Sequence, residues 1–364
     1  MKKNVFPVLL LLMLIGAFLF SVSASAEKSI LLTFTGDCTI GSEELKRGEP
    51  DSFVSVVKKE GYAYPFARFL PLFELDDCTV INLEGVLSDS KNDEKKDKSY
   101  RFRGETSLVA VLTEGSVEAC SLSNNHISDY GKQGIESTQD TLTASNIGWF
   151  RDQTPWIFEK DGIRIAFFAL HDTYYPEHSE GVRKQMKQMK ESGEVNAVVV
   201  CYHCGREYTA RHFNHQEDRS EVLTRFGADL VITNHPHVVQ GIKIFHDRTV
   251  CFSLGNFVFG GNKEIRYWPY GNRVLTSRYC LVVQARLDFD DDGAYLGQQI
   301  TLYPAFTSDD PEANHYQPYP VHGEDAATVI DAAQFDTNFQ IPEITEAEDY
   351  PYVALPYLPA EKAD

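Results

Sequence analysis

Five short stretches of this 364-residue chain end an apolar run on a side chain able to hold a cation: Asp37 in FTGD, Glu84 in INLE, Asn125 in LSNNH, His203 in VVCYH and His235 in VITNH, with His237 two residues on. Carboxylate, amide oxygen and imidazole together suit Mn, Zn or Fe better than Ca or Mg, which favour oxygen throughout. Asp37 or Glu84 could bridge two such ions, so the set predicts one or two divalent ions able to activate water against an ester or amide. Pro236 would end the strand before it and stiffen the turn that presents His235 and His237. His126, next to Asn125, is placed to serve as a general acid on the substrate side, with Asp129 orienting its ring. Each residue also has a plainer reading, since a strand-ending Gly-Asp or Glu-Gly is often only a turn. The weight lies in the recurrence.

Position is what unites them. Apolar runs rich in Val, Ile and Phe (SILLTFTGD, DDCTVINLEG, VEACSLSNNH, IRIAFFALHD, VNAVVVCYHCG, ADLVITNHPH, TVCFSLGNF) read as strands, with helices expected near 134–145, 182–191 and 216–226. Strands apolar on both faces with helices between them predict layered α/β sheets. In such folds ligands collect beyond the carboxyl ends of the strands, where the five residues fall. After Ser277, two strand-like runs flanking Asp290-Asp291-Asp292-Gly293 predict a hairpin.

Weaker candidates join the list. Arg101 and Arg103 in YRFRGE offer anion contacts, though exposed arginines are usually only solvated. Asn256 in SLGNF, after Gly255, could aim an amide into the site or simply begin a strand. Cys201 and Cys204 form a C-x-x-C, but at a strand end rather than at the helix start a redox pair requires. No G-x-S-x-G elbow, P-loop or dinucleotide fingerprint occurs.

The ends differ in character. Residues 1–26 run from Lys2-Lys3 through an apolar stretch to Ala24-Ser25-Ala26, the order of an export signal that is cleaved or kept as an N-terminal anchor. An exported protein, extracellular or at the cell surface, is the expectation. The main domain is placed at 27–306 and an acidic, Pro- and Tyr-rich tail at 307–364, wrapping the surface or extending from it. Residues 301–364 hold 13 Asp and Glu against Lys362 alone, so most of the net charge of −19 belongs there. Nothing resembles the basic footprint of a nucleic-acid binder. The 7 cysteines, an odd number mostly within apolar runs, read as buried thiols rather than a disulfide framework.

The ordered series TGD, INLEGVL, SLSNNHISDYG, HCGREY, GADLVITNHPHVVQG and SLGNFVF, from about Ser29 to Phe259, resembles the bacterial capsule-synthesis family of the CapA type, linked to poly-γ-glutamate. That family is similar in fold to calcineurin-like metallophosphoesterases. The resemblance implies a layered fold of that kind, metal ligands at Asp37, Glu84, Asn125, His203, His235 and His237, and a substrate-side histidine at His126. It also brings in Glu207, from the family's H-x-G-x-E pattern, which with Arg103 and Asn256 completes the expected substrate contacts. The chain departs from the family at Cys204 and at Thr233-Asn234, and neither departure removes a ligand. Two functions follow as expectations: a metal-dependent hydrolase acting on a cell-surface anionic polymer or phosphoester, or a non-catalytic accessory protein that binds nascent poly-γ-glutamate for a membrane synthase.

Overall fold

Residue alternation along the central strands decides the architecture. In Ala197–His203, the side chains of Ala197, Val199 and Cys201 enter one apolar core while Val198, Val200 and Tyr202 enter another, the two-residue period of a strand buried on both faces. The same split occurs in Cys78–Leu83, where Cys78 and Val80 face one core, Ile81 and Leu83 a second. The computed structural model describes residues 28–271 and 273–360, and the leader expected over 1–26 lies outside them.

Two sheets result. The larger runs in the order Tyr319–Pro320, Tyr295–Phe306, Tyr279–Phe289, Lys28–Thr39, Cys78–Leu83, Ala119–Ser121, Gly148–Phe150. From Lys28–Thr39 to Gly148–Phe150 its strands are parallel, whereas Tyr279–Phe289 and Tyr295–Phe306 are antiparallel. The smaller sheet runs Ile242–Phe245, Arg248–Cys251, Leu230–Asn234, Ala197–His203, Ile163–His171, Trp156–Lys160, with a parallel centre and antiparallel edges.

The sheets face each other across a core that includes Leu32, Phe34, Phe167, Val199, Ile232 and Val283, all at most 1 % exposed. Each such side chain contributes roughly 1.5–3 kcal/mol by leaving water. Helices Phe53–Glu60 and Gly131–Ala144 cover the outer face of the larger sheet through Phe53, Val57 and Leu142. Helices Tyr175–Glu191 and Asn214–Arg225 cover the smaller one through Val182, Met186 and Leu223. The layered α/β architecture with its C-terminal hairpin is therefore present as expected. The hairpin closes at Asp290–Gly293, where Gly293 N–H donates to the Asp290 carbonyl at 3.0 Å.

Boundaries differ for local reasons. The helix expected from Gln216 begins at Asn214, where Gln216 Oε1 accepts from the Phe213 N–H at 2.8 Å and caps the first turn. The helix expected from Val182 begins at Tyr175, because Pro176 suits a first turn and the polar residues up to Gly181 hide the periodicity. Helix Phe53–Glu60 was not anticipated, though Ser52 caps it by accepting from Ser55 N–H at 3.3 Å. Residues 307–360 lie along the molecule: helix Gly323–Gln334 buries Val329 and Ala333 in the intersheet core, and Val353–Ala354 and Leu358–Pro359 pair with Tyr295–Phe306. All 7 cysteines are free and buried. Cys201 and Cys204 enter cores on opposite sides of their sheet, which excludes them as a redox pair.

Candidate metal centre

Two of the proposed ligands, Glu84 and His203, continue the inward phase of their strands just past the rim of the intersheet core: Asn82 and Glu84 follow Cys78 and Val80, and His203 follows Cys201. The first strand would break this rule, since Ile30, Leu32 and Phe34 point inward and Asp37 is odd. Its register shifts between Phe34 and Asp37, and that irregularity brings Asp37 inward. Gly36 permits the shift, because a Cβ there would lie 2.2 Å from the Gly255 carbonyl oxygen. The Asp37 N–H donates to that same carbonyl at 2.9 Å.

The histidine turn is strained. His235 and His237 both have positive φ, 108° and 57°, on either side of Pro236. Such conformations cost on the order of 1–3 kcal/mol each in non-glycine residues and are kept where surroundings enforce them. Here Asp37 is part of the enforcement: its Oδ2 accepts from the His235 N–H at 3.1 Å and lies 3.1 Å from His237 Nδ1. Asn256 Oδ1 accepts from the same Nδ1 at 2.8 Å, so Asn256 orients His237 rather than facing the opening.

Asp37, Glu84, Asn125, His203, His235 and His237 are brought together. His203 Nε2 is 2.9 Å from Asn125 Oδ1 and 3.7 Å from Glu84 Oε1, and its ring centroid is 4.7 Å from that of His235. Three groups have ligand atoms within 4.8 Å of one another: Glu84–His203–His235, Asp37–Glu84–His237 and Glu207–His235–His237. Glu84 is 0 % exposed, yet neither of its carboxylate oxygens has a hydrogen-bond partner, and buried His235 Nδ1 has none either. An unpaired buried carboxylate is costly, and a cation bound by it is the group that would offset that cost. The donor set, three carboxylates and three imidazoles with an amide oxygen beside them, fits a divalent transition ion.

Protonation follows from burial and neighbours. Burial holds the Glu84 carboxyl well above the usual carboxylate range. Burial and the surrounding imidazoles keep His203 far below its ordinary value, and burial with the nearby His237 takes His235 down to about 4. Burial would lower His237 as well, but the Glu84 and Asp37 carboxylates outweigh it and push it up to about 10. His203 and His235 are thus already neutral, as metal ligands must be, while His237 holds a proton that a cation would displace.

Beside the ligands, His126 Nδ1–H donates to Asp129 Oδ2 at 2.7 Å, which leaves Nε2 facing Glu84 Oε1 at 3.7 Å. Asp129 is buried and also accepts from the Phe102 N–H at 2.8 Å and from Lys98 Nζ at 2.5 Å. The Phe102 ring packs on the imidazole with centroids 4.2 Å apart. A basin of about 110 Å³ opens onto this pair, lined by Tyr100, Phe102, His126, Glu207, Tyr208, His237, Phe259, Asn262 and Arg266.

Arg103 lies elsewhere. It is 4 % exposed and its guanidinium donates to Glu44 Oε2 and the Ser88 carbonyl, so its charge is used within the fold. Arg101 pairs with Glu94. Sequence reasoning missed Asn82, which donates to Asp37 Oδ1 at 2.7 Å and lies 3.2 Å from His203 Nδ1. Its position two before Glu84 on a strand was the available signal. Lys98, inside the charged run DSKNDEKKDK, and Arg266 carried none.

The sequence matches the family described as bacterial capsule synthesis protein PGA_cap over residues 31–261. The chain belongs to that family. The matched span contains every residue of the cage. Among relatives, the capsule biosynthesis protein CapA of Bacillus anthracis is 25 % identical over 64 % of this chain and 60 % of its own. The PGA biosynthesis protein CapA of Bacillus subtilis (strain 168) is 26 % identical over 71 % of this chain and 73 % of its own. A probable polyglutamine synthesis accessory protein of Mycobacterium tuberculosis is 22 % identical over 56 % and 63 %. The alignment thus spans 60 % of the Bacillus anthracis relative's length. The CapA-type resemblance drawn from the six sequence motifs is borne out by these matches.

Proposed function

We propose that this PGA_cap family member is a divalent-metal-dependent hydrolase of capsule or poly-γ-glutamate metabolism, acting outside the cytoplasm on an anionic polymer or phosphoester. The observation that carries this reading is the buried Glu84 carboxylate, without a hydrogen-bond partner, set among Asp37, His203, His235 and His237 and 3.7 Å from Nε2 of the basin-lining His126 that Asp129 orients. A Mn, Zn or Fe ion held there would supply an activated water and stabilise developing charge on the cleaved bond.

The chain's own residues supply the rest. Asp37, Glu84, Asn125, His203, His235 and His237 hold the centre, and Asn82 and Asn256 fix the angles of Asp37 and His237. His126, neutral because burial lowers its pKa against the pull of Asp129, presents Nε2 to take or give a proton at the reacting oxygen. Asp129 holds Nδ1–H and so fixes the tautomer. Arg266 and Asn262, at the basin wall, offer the charge and the amide that would steady an anionic group. Phe102 and Phe259 also line the basin, with ring centroids 5.8 Å apart, and limit water. The leader expected over residues 1–26 supports action outside the cytoplasm, and fractionation of cells with N-terminal sequencing of the mature protein tests it.

The accessory role named for the mycobacterial relative favours a second reading, a polymer-binding partner of a membrane synthase. Metal analysis of purified protein, with hydrolysis of bis(p-nitrophenyl) phosphate and of poly-γ-glutamate, separates the two. Metal-dependent turnover abolished by His235→Ala supports the hydrolase. A metal-loaded protein inert on both substrates that binds poly-γ-glutamate overturns it.

A further inference from the structure

We infer that Glu207 is a metal ligand: with His235 and His237 it closes the open side of a two-ion centre whose buried side is built by Asp37, Glu84 and His203. The inference rests on the metal-centre reading above and deepens it. The three ligand groups overlap pairwise, sharing Glu84, His235 and His237 in turn. Glu84 is common to the two buried groups, and both of its oxygens are free of hydrogen bonds, so each is available to a different ion. His203 and His235 then serve one position, and Asp37 and His237 the other. The Glu207 carboxylate, within 4.8 Å of the ligand atoms of His235 and His237, reaches the second from the solvent side.

Glu207 is held there by its backbone on both sides. Gly205 at φ +110° turns the chain where a Cβ would meet the Gln216 amide at 2.5 Å, and its N–H donates to Asp172 Oδ2 at 3.0 Å. Asp172 is itself fixed by Tyr202 Oη at 2.6 Å. Beyond Glu207, the Tyr208 N–H donates to the Pro236 carbonyl at 2.9 Å, tying the loop to the residue between the two histidines. The Tyr208 ring stacks on Trp268 with centroids 4.3 Å apart. The backbone ties on either side thus keep Glu207 beside the histidine turn, with a carboxylate oxygen within 4.8 Å of the ligand atoms of both imidazoles.

Charge supports the count of two. Three carboxylates, Asp37, Glu84 and Glu207, against two dications leave one positive charge to attract an anionic substrate, whereas a single dication would leave one negative charge to repel it. Glu207 is also exposed while Asp37, Glu84, His203 and His237 are buried, which makes it the ligand through which the outer ion enters and leaves.

Titration of the metal-stripped full chain with Mn²⁺, followed by elemental analysis and electron paramagnetic resonance, tests this without reference to turnover. The wild type is expected to take up two ions per chain with the broadened spectrum of an exchange-coupled pair. Glu207→Gln should retain the inner ion, lose at least tenfold in affinity for the outer one and show an isolated six-line spectrum. Glu207→Asp should recover much of the coupling, and circular dichroism should show both variants folded. Two ions bound by Glu207→Gln with unchanged affinity, or one ion bound by the wild type, overturns the inference. A wild type that binds two ions and loses one in Glu207→Gln, yet hydrolyses nothing, leaves the inference standing and removes the hydrolase reading.

Discussion

Replacing Glu84 by Gln separates the stability of the metal-free fold from that of the loaded one. Without metal, the Glu84 carboxyl is fully buried, has no hydrogen-bond partner, and is held well above the usual carboxylate range chiefly by burial. The sign follows: an acid whose folded-state pKa is raised disfavours folding at every pH above its ordinary value of 4.5, because the unfolded chain ionises freely there. A neutral amide removes that penalty, so the metal-free variant should melt at or above the wild-type temperature at pH 7. The loaded state should respond oppositely. An ion at one hundred times its dissociation constant adds about 2.7 kcal/mol. With an unfolding entropy of about 0.75 kcal/mol per kelvin for a chain of this length, that is a rise of about 3 to 4 °C per ion. Glu84→Gln removes the carboxylate that both buried ligand groups share, and most of this rise should vanish. Scanning calorimetry with and without Mn²⁺ provides the test. A variant that melts several degrees below wild type without metal, yet keeps the full metal-induced rise, would refute the reasoning.

Other outcomes follow from the same geometry. His126→Asn should lower hydrolysis by roughly 10²–10⁴-fold while metal content stays unchanged, since His126 acts on the substrate side; an equal loss of bound metal would contradict its placement. Metal affinity should rise with pH as His237, pushed up to about 10, gives up its proton, and calorimetric titration in buffers of different ionisation heat at pH 7 should report about one proton released with the ion that His237 binds. Gly36→Ala would place a Cβ 2.2 Å from the Gly255 carbonyl oxygen and should cost about 3 kcal/mol in urea denaturation, with metal binding weakened because Asp37 is displaced; a loss below half a kcal/mol would refute the close crossing. His212 is buried between Asp336 and Glu217, and although burial alone would lower its pKa, these two acids raise it. Its contribution is therefore complete below its ordinary 6.5 and lost as pH climbs through the raised folded value. Hydrogen-exchange protection in Gly323–Gln334, corrected for the intrinsic pH dependence of exchange, should fall as pH rises above 6.5, and His212→Gln should flatten that dependence.

The cage was legible because strand periodicity and strand ends are written locally. Apolar runs at two-residue alternation gave the sheets, and polar residues closing five of them gave the side chains that cluster between those sheets. What escaped depends on contacts far apart in sequence. Lys98 reads as one more charge in a solvated loop until Asp129, 31 residues on, accepts its ammonium. Arg103 reads as an anion contact until Glu44, 59 residues earlier, is found beside it. Asn256 reads as a substrate amide until the crossing of its strand with Asp37 puts it against His237. The placement of Glu207 next to the histidine turn similarly depends on a backbone bond from Tyr208 to Pro236, which no local pattern announces.

The candidate ligands divide by sheet: Asp37, Glu84 and Asn125 extend from the larger, His203, His235 and His237 from the smaller. An ion bound between them would therefore act as a rivet through the seam of the sandwich. Either sheet alone offers half a coordination shell, so tight binding arises only once both have closed face to face. Loading should convert two halves able to part at their rim into one cooperative unit, with opening at the seam slowed more than fraying at the outer helices. A cell short of the metal would hold a protein that is folded yet looser at this one edge, and availability of the ion would set how long the two sheets stay shut.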